Sequence, residues 1–194
     1  MAKWPSVPAV YGWLSLDRRG HWLIKGERIS NPTVTAFIGR NYAHDERGRW
    51  YFQNGPQRVF VSLAYAPFVY RVVSSEGSPL ALEAHSGKPV STVAGAWIDE
   101  SGTVLLETEL GIGTIHDRDL DRLLPAFSDA HGRPLTEDAL EGLMELVQQG
   151  RTVPLWLKCR DASVKVEPIR SAAVAQRFGF LARPVQPAGE EECY

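Results

Sequence analysis

Basic side chains in the first part of the chain are the groups with the clearest potential for chemistry. Guanidinium and ammonium groups could hold an anionic ligand, because charge-assisted hydrogen bonds to phosphate or carboxylate oxygens are strong and directional. The candidates are Lys25, Arg28, Arg40, Arg58 and Arg71. Arg58 is favoured, since it follows a turn at residues 54–56 and lies on a predicted strand. The alternative is an arginine on a solvated strand face.

Aromatic side chains offer flat surfaces on which a nucleobase or another planar ligand could stack. The sequence contains six Trp and six Tyr. The tryptophans in predicted hairpins are Trp13, Trp22, Trp50 and Trp97. We select Trp50 as the candidate platform. Core packing is the alternative for all four, because aromatic residues in strands are usually half-buried or buried.

Groups that could catalyse a reaction are few and isolated. Glu107 and Glu109 share one face of a predicted strand and could act as general acid and base, although no pocket is predicted around them. Neighbouring pairs seldom orient as a base with its carboxylate, so we expect surface or capping roles for His44-Asp45 and His116-Asp117. The histidines lack the spacing of metal ligands, and “GIGTI” at 111–115 is too short for a dinucleotide fingerprint. The catalytic residues therefore stay unknown, and no metal or cofactor is predicted.

Composition and charge narrow the class of protein. With 194 residues, 44% of them hydrophobic, the chain can form one large domain or two small ones around a substantial core. Residues 1–73 carry 10 Lys/Arg and 4 Asp/Glu, a net of +6, whereas residues 74–194 carry 11 and 19, a net of -8. The two parts could attract each other, or the basic part could bind an anion. The positive charge is scattered outside any recognised nucleic-acid-binding module, so nucleic acid is not an expected partner.

Targeting signals and cysteines bear on the expected location. The N-terminus has neither the apolar run nor the cleavage site of a signal peptide, and no stretch approaches 18 apolar residues. Cys159 and Cys193 form no disulfide framework or metal pattern, and we expect Cys159 to be an inert buried thiol. These features favour a cytoplasmic protein without a membrane partner.

Hydrophobic periodicity predicts an α+β fold with mostly antiparallel strands. Hairpins are predicted around turns at 17–20, at 100–102 and near 160–161, with further strands at 50–53 and from 57. Asn31 and Pro32 favour the start of one helix, and a short helix is expected from about Asp117. Residues 136–148 form the clearest helical pattern, with Thr136 as its cap, and Pro168 lies in the first turn of a predicted last helix.

The order strand, Gly turn, strand, helix, Gly turn occurs twice. The first occurrence begins with “LSLDRRGHWLIKGERIS”, and the second begins with “AWIDESGTVLLETELGI”. We therefore predict two related halves, residues 1–75 and 76–183, followed by a flexible tail at 184–194.

Weak motifs in a fixed order resemble a bacterial family of domains of unknown function, number 1285 in its series. The blocks are “GHWLIKGERI”, “GRWYFQNGPQRVFV”, “APFVYRV”, “LLETELGIG”, “VPLWLKCR” and “AAVAQRFGF”. They cover about residues 11–181. Arg58 stands at the lysine position of the family, and Arg160, with Pro154 and Trp156, matches its last strand. The chain lacks the threonine and glutamate of the block around Arg58, and it inserts the 136–148 helix.

The resemblance implies two related α+β halves, the second faintly pleckstrin-like, with a site in the groove between them, a nucleotide-like ligand and a signalling role. Together with the charge asymmetry, it predicts a module that binds an anionic small molecule or regulates through it. The predicted ligand-binding residues are Arg58, Lys25, Arg40, Trp50 and Arg160. One alternative is a protein-interaction or homodimerising module that uses an exposed strand edge or the 136–148 helix. Another is a hydrolase or transferase.

Overall fold

Two β-sheets form the framework of the protein. A computed structural model describes residues 6–75, 78–135, 137–159 and 162–187. The first sheet has six strands in the order β3-β2-β1-β6-β5-β4. Its elements are β1 (Ala9–Leu16), β2 (Trp22–Ile24), β3 (Glu27–Arg28), α1 (Pro32–Arg40), β4 (Tyr42–His44), β5 (Trp50–Asn54) and β6 (Gln57–Leu63).

The second sheet has eight strands in the order β12-β13-β14-β9-β10-β11-β7-β8. Its strands are β7 (Phe68–Val72), β8 (Leu82–Ala84), β9 (Val93–Asp99), β10 (Val104–Thr108), β11 (Gly111–Ile115), β12 (Phe127–Ser128), β13 (Trp156–Cys159) and β14 (Ala162–Ile169). The helices of this part are α2 (Leu120–Leu123), α3 (Glu137–Gln148) and α4 (Val174–Arg177). Short 3₁₀ turns at Asp117–Asp119 and Leu124–Ala126 flank α2, and another at Ser171–Ala173 precedes α4.

The two sheets share one topology. The six strands β11-β10-β9-β14-β13-β12 repeat the order of the first sheet, and β7 and β8 extend it beyond β11. In both halves the first and last strands of the unit pair in parallel at the centre, β1 with β6 and β9 with β14. This repetition confirms the predicted α+β fold of two related halves.

Parallel pairing is the main departure from the expected hairpins. Hairpin neighbours are antiparallel as predicted, but β1–β6, β7–β11 and β9–β14 are parallel. These pairs join strands far apart in sequence, and strand periodicity carries no information on the direction of a distant partner. The chain leaves the first sheet at Leu63 and enters the second at Phe68, whereas the division predicted at 75/76 lies beyond β7.

Four turns with the pattern Asp-x-x-Gly recur at equivalent places in the two halves. They begin at Asp17, Asp45, Asp99 and Asp129. In each, one carboxylate oxygen accepts the backbone N–H groups of the second and fourth following residues at 2.8–3.0 Å. The glycine has φ of 80°, 71°, 82° or 75° and donates its N–H to the aspartate carbonyl. The aspartate and the glycine together define these turns, because glycine adopts positive φ without strain.

The helices differ in how well the sequence predicts them. Asn31 caps α1 as expected, accepting from the N–H groups of Thr33 and Val34. Helix α3 is present and buries Leu143 and Val147, while its predicted cap Thr136 lies outside the described residues. The prediction that Pro168 begins a helix is wrong. Pro168 pairs with Ile98 in β14, beyond the point where the β13 ladder ends, so its missing N–H interrupts no ladder on that side.

The C-terminal segment returns from the second half to the first. The N–H of Leu181 donates to the carbonyl of Gly48, and the N–H of Leu63 donates to the carbonyl of Ala182. The predicted flexible tail starts at 184; Pro184 is buried, and residues 188–194 lie outside the described part of the chain. Among the residues that the structure describes, no helix has both the length and the apolar character needed to cross a bilayer.

Candidate ligand-binding groove

A groove of about 410 Å³ lies where the first hairpin of each half faces the other. The β1–β2 turn supplies Arg18 and Arg19 to one wall, and the β9–β10 turn supplies residues 101–103 to the opposite wall. The remaining lining residues are Tyr65, Val104, Thr114, Ile115, Asp117 and Leu120. Since the walls come from both halves, the groove exists only in the folded pair. Its volume falls in the range of about 300–1,000 Å³ that is typical of small-molecule sites.

Two arginines make one wall of the groove basic. The exposed guanidinium of Arg18 lies 4.3 Å from the ring centroid of Tyr65, an arrangement that a cation–π attraction favours. Arg19 reaches across the groove, and its Nε and Nη2 donate to Oδ2 of Asp117 at 3.1 and 2.7 Å. The Arg19 hydrogen bond lowers the pKa of the Asp117 carboxyl. Asp117 is therefore ionised at neutral pH and partly neutralises the basic wall.

The groove residue Tyr65 is held in place by a hydrogen bond to the β9–β10 hairpin. Its hydroxyl donates to Oδ2 of the buried Asp99 over 2.7 Å. In the other three Asp-x-x-Gly turns this oxygen instead contacts the side chain four residues on, namely His21, Arg49 or Arg133. At Asp99 the partner is instead Tyr65, which lies in the segment between the two sheets. Burial and the Asp99 carboxylate raise the pKa of Tyr65, so its hydroxyl keeps its proton.

Asp119, two residues after the groove residue Asp117, forms an ion pair in which its carboxylate is buried and the Arg71 guanidinium is about half exposed. Asp119 is 2% exposed and accepts from Nε of Arg71 at 2.6 Å and from the N–H of Val72 at 3.1 Å. Burial alone would raise the pKa of Asp119, but the hydrogen bonds from Arg71 and Val72 outweigh it and leave the pKa lowered. Arg71, a candidate anion binder by sequence, is therefore committed to a carboxylate within the protein.

The candidate acids and bases have structural partners. The carboxylate of Glu109 accepts from the backbone N–H groups of Ser91 and Thr92, which outweigh burial and lower its pKa. His116 accepts the N–H of Arg118 at Nδ1, as a helix cap does, and burial followed by the charge of Arg71 lowers its pKa. Burial raises the pKa of the Cys159 thiol to about 11, so the thiolate is scarce at neutral pH. Within the described ranges no group of three or more His, Cys, Asp or Glu is placed to hold a metal ion.

The sequence-predicted site residues that the structure describes lie outside this groove. Arg58 is exposed at the start of β6, 4.9 Å from the ring centroid of Tyr51. Lys25 lies in the β2–β3 turn with its Nζ 4.5 Å from the ring centroid of Trp13, and Arg40 is exposed in the last turn of α1. Arg160 lies outside the described residues.

Trp50, the predicted stacking platform, is 7% exposed. Its ring centroid lies 4.8 Å from that of Tyr42, 4.9 Å from that of His44 and 5.1 Å from that of Phe68. Protein side chains therefore occupy the surroundings in which a planar ligand would stack. This is the core position that the sequence left as the alternative.

Arg18, Arg19 and Tyr65 form the groove, but they were not among the candidates drawn from the sequence. The pair Arg18-Arg19 is visible as two adjacent cations in a predicted turn. Nothing in the local pattern shows that this turn faces the β9–β10 turn, because the relevant contacts join distant residues.

The fold and the groove together define a class: duplicated α+β proteins with two mixed sheets and a cleft between their first hairpins. Within that class, the chain belongs to the family of proteins of unknown function DUF2944, whose model carries the description “Protein of unknown function (DUF2946)” and matches residues 1–185. No curated protein matches the sequence.

Two solved structures are similar to this one. A DUF1285 family protein from Silicibacter pomeroyi DSS-3 has a TM-score of 0.56 at 15% identity, over 85% of this chain and 84% of that chain. A DUF1285 family protein from Shewanella baltica OS155 has a TM-score of 0.42 at 14% identity, over 57% of this chain and 88% of that one. The first likeness confirms the distant resemblance to that family at the level of the fold. The pleckstrin-like character of the second half stays a prediction.

Proposed function

We propose that the protein is a small-molecule-binding or regulatory module whose anionic ligand lies in the groove between the two halves. The observation that carries this proposal is the placement of Arg18 and Arg19 on one wall. Both side chains are exposed and line a space of ligand size. Guanidinium groups in such a position favour carboxylate or phosphate through charge-assisted hydrogen bonds.

The rest of the groove favours a ligand with an apolar or planar part. Val104 and Ile115 are buried at its base, and the side chain of Leu120 remains 38% exposed beside them. A ligand that covers Leu120 would gain hydrophobic free energy in addition to the ionic contact. An aromatic acid or a nucleotide combines both features. Because lining residues come from both halves, a bound ligand would also stabilise the arrangement of the two halves relative to each other. A regulatory role would follow from this effect on the arrangement.

Thermal-shift screening against nucleotides and phosphorylated metabolites tests the proposal. A ligand that binds only the folded protein raises Tm in a concentration-dependent manner. We expect Arg18→Ala and Arg19→Ala to reduce this shift by at least half. Arg58→Ala is the matched control, because it removes an exposed arginine outside the groove. A shift abolished by Arg58→Ala but retained in both groove variants would place the ligand at the site predicted from sequence. If no compound shifts Tm, the proposal fails.

A homodimer is the second candidate, and one surface favours it. On α1, Val34 and Phe37 are 40% and 42% exposed and lie three residues apart, so they share a helix face. The 136–148 helix, an alternative contact surface by sequence, instead buries Leu143 and Val147. Light scattering after size exclusion tests this candidate. A monomeric mass up to high micromolar concentration rules it out, whereas a dimer that Phe37→Lys dissociates supports it.

A further inference from the structure

The guanidinium of Arg19 binds the carboxylate of Asp117 with the geometry in which an arginine binds the oxyanion of a ligand. Nε and Nη2 of Arg19 both donate to one oxygen of Asp117, at 3.1 and 2.7 Å. The two residues are separated by 98 positions, and both line the groove. A guanidinium that offers two donors in a fork fits a carboxylate or phosphate oxyanion in this way.

We infer, on the basis of the proposed function, that the ligand carries a carboxylate or phosphate group that replaces Asp117 on Arg19. Asp117 is then an internal competitor that occupies the anion-binding position in the free protein. The ligand class is an oxyanion attached to an apolar or planar body, with the body over Leu120. Release of Asp117 accompanies binding.

Exposure separates this exchangeable contact from the structural ion pair next to it. The side chains of Arg19 and Asp117 are 50% and 52% exposed, so water can solvate either partner when the pair opens. The side chain of Asp119, two residues further on, is 3% exposed and accepts from Arg71 and Val72. An exposed ion pair contributes little to stability, whereas opening a buried pair strands a charge. Of these two contacts, the Arg19–Asp117 pair therefore opens at the lower cost.

The neighbours of Arg19 favour the exchange. Arg18, the next residue, is exposed and stacks on Tyr65, and Asp99 holds the Tyr65 hydroxyl. Arg18 therefore places a second exposed guanidinium in the lining of the same groove, beside a tyrosine whose hydroxyl Asp99 holds in place.

Asp117→Asn tests the competition, because asparagine keeps the shape of the side chain and removes its charge. Benzoate and phenyl phosphate are the probes, with the same ring and the two oxyanions, and titration calorimetry gives their affinities. We expect Asp117→Asn to tighten binding of at least one probe about two- to fivefold, the factor corresponding to an exposed ion pair. Asp121→Asn is the control for net charge, since Asp121 is an exposed acid outside the groove lining. It should change affinity by less than half of that factor.

A second readout uses the unaltered protein. In NMR titrations the Nε–H resonance of Arg19 and the carboxyl ¹³C resonance of Asp117 should shift together, at the same probe concentration. If a probe binds and depends on Arg19 but Asp117→Asn matches the control, the competition is refuted and the proposed function stands. If neither probe binds the wild-type chain or Asp117→Asn at millimolar concentration, the inference that an oxyanion replaces Asp117 on Arg19 is overturned. Nucleotide binding in the thermal-shift screen then decides the proposed function separately.

Discussion

The hydroxyl of Tyr65 donates a hydrogen bond of 2.7 Å to Oδ2 of Asp99, and this contact joins the segment between the two sheets to the first hairpin of the second half. We expect Tyr65→Phe to lower the free energy of unfolding by about 1.5 kcal/mol, near the lower end for hydrogen bonds to charged groups. Urea denaturation measures this change. Tyr51→Phe is the control, because the Tyr51 ring packs against Phe60 in the first sheet. Equal losses in the two variants would contradict a special role for the Tyr65 hydroxyl.

The C-terminal segment passes so close to the Asp45 turn that Gly48 has no room for a side chain. A Cβ on Gly48 would lie 2.1 Å from the carbonyl oxygen of Gly179, while a Cβ on Gly55 would meet nothing within 4 Å. Both glycines have positive φ, 71° and 57°. We expect Gly55→Ala to cost about 1–2 kcal/mol from backbone strain. Gly48→Ala should cost at least twice as much in the same denaturation experiment. Similar costs would show that the segment moves aside freely.

The His85 ring sits in an apolar environment formed by Trp22, Tyr42 and Phe68, with centroid distances of 5.1–5.8 Å. Burial lowers its pKa to about 3, although the charge of Asp17 acts in the opposite direction. The unfolded chain, with an ordinary histidine pKa near 6.5, therefore binds one more proton between about pH 6.5 and 3. Stability is fully present above this window and falls by about 1.4 kcal/mol per pH unit as the pH drops through it.

Urea denaturation at several pH values between 7 and 4 measures this slope. His85→Gln should reduce this slope by the contribution of about one proton, about 1.4 kcal/mol per pH unit, even if the variant is less stable at every pH. The matched control is His131→Gln, an exposed histidine in the Asp129 turn, which should leave the slope unchanged. A slope that survives His85→Gln would assign the acid sensitivity to other groups.

Arg71 is the hydrogen-bonded charged partner of the buried Asp119 carboxylate, and Nη1 of Arg122 lies 3.7 Å from its Oδ1. We expect Arg71→Ala to cost about 2–3 kcal/mol, because it leaves a desolvated charge with fewer hydrogen bonds. The lowered pKa of Asp119 stabilises the fold above its unfolded value of about 3.9, and that contribution is lost as the pH falls through the folded pKa. Arg71→Ala should therefore reduce the loss of unfolding free energy that accompanies acidification in this pH range. Arg58→Ala, which changes an exposed arginine, should change neither the unfolding free energy nor its pH dependence by comparable amounts.

The parts of the fold that could be predicted from sequence depend on contacts between near neighbours. Asn31 caps α1 by accepting N–H groups two and three residues on, so the sequence pattern contains both partners. Each Asp-x-x-Gly turn likewise closes within four residues, and the repeated order of turns indicated the duplication. The position of Pro168 could not be predicted, because its place in β14 depends on the distant strand β9.

The candidate site was less predictable than the fold. The candidate groove lies between the halves, where the family resemblance led us to expect a site, but the selected residues that the structure describes do not line it. Arg58 was preferred because it follows a turn, and that local feature does not determine whether its side chain lies in the groove. Trp50 has the composition of a stacking platform, and its burial among Tyr42, His44 and Phe68 was decided by sheet packing.

By itself, the sequence determined the four Asp-x-x-Gly turns, the capped α1 helix, the uneven charge and the duplicated order of elements. Only the tertiary structure decided which turns face each other and which cations remain exposed. The physical reason is the separation of the partners: aspartate meets its turn N–H groups within four residues, whereas Tyr65 meets Asp99 across 34 residues and Arg19 meets Asp117 across 98. Those distant contacts form only when the parallel strands at the centre of each half have brought the hairpins together.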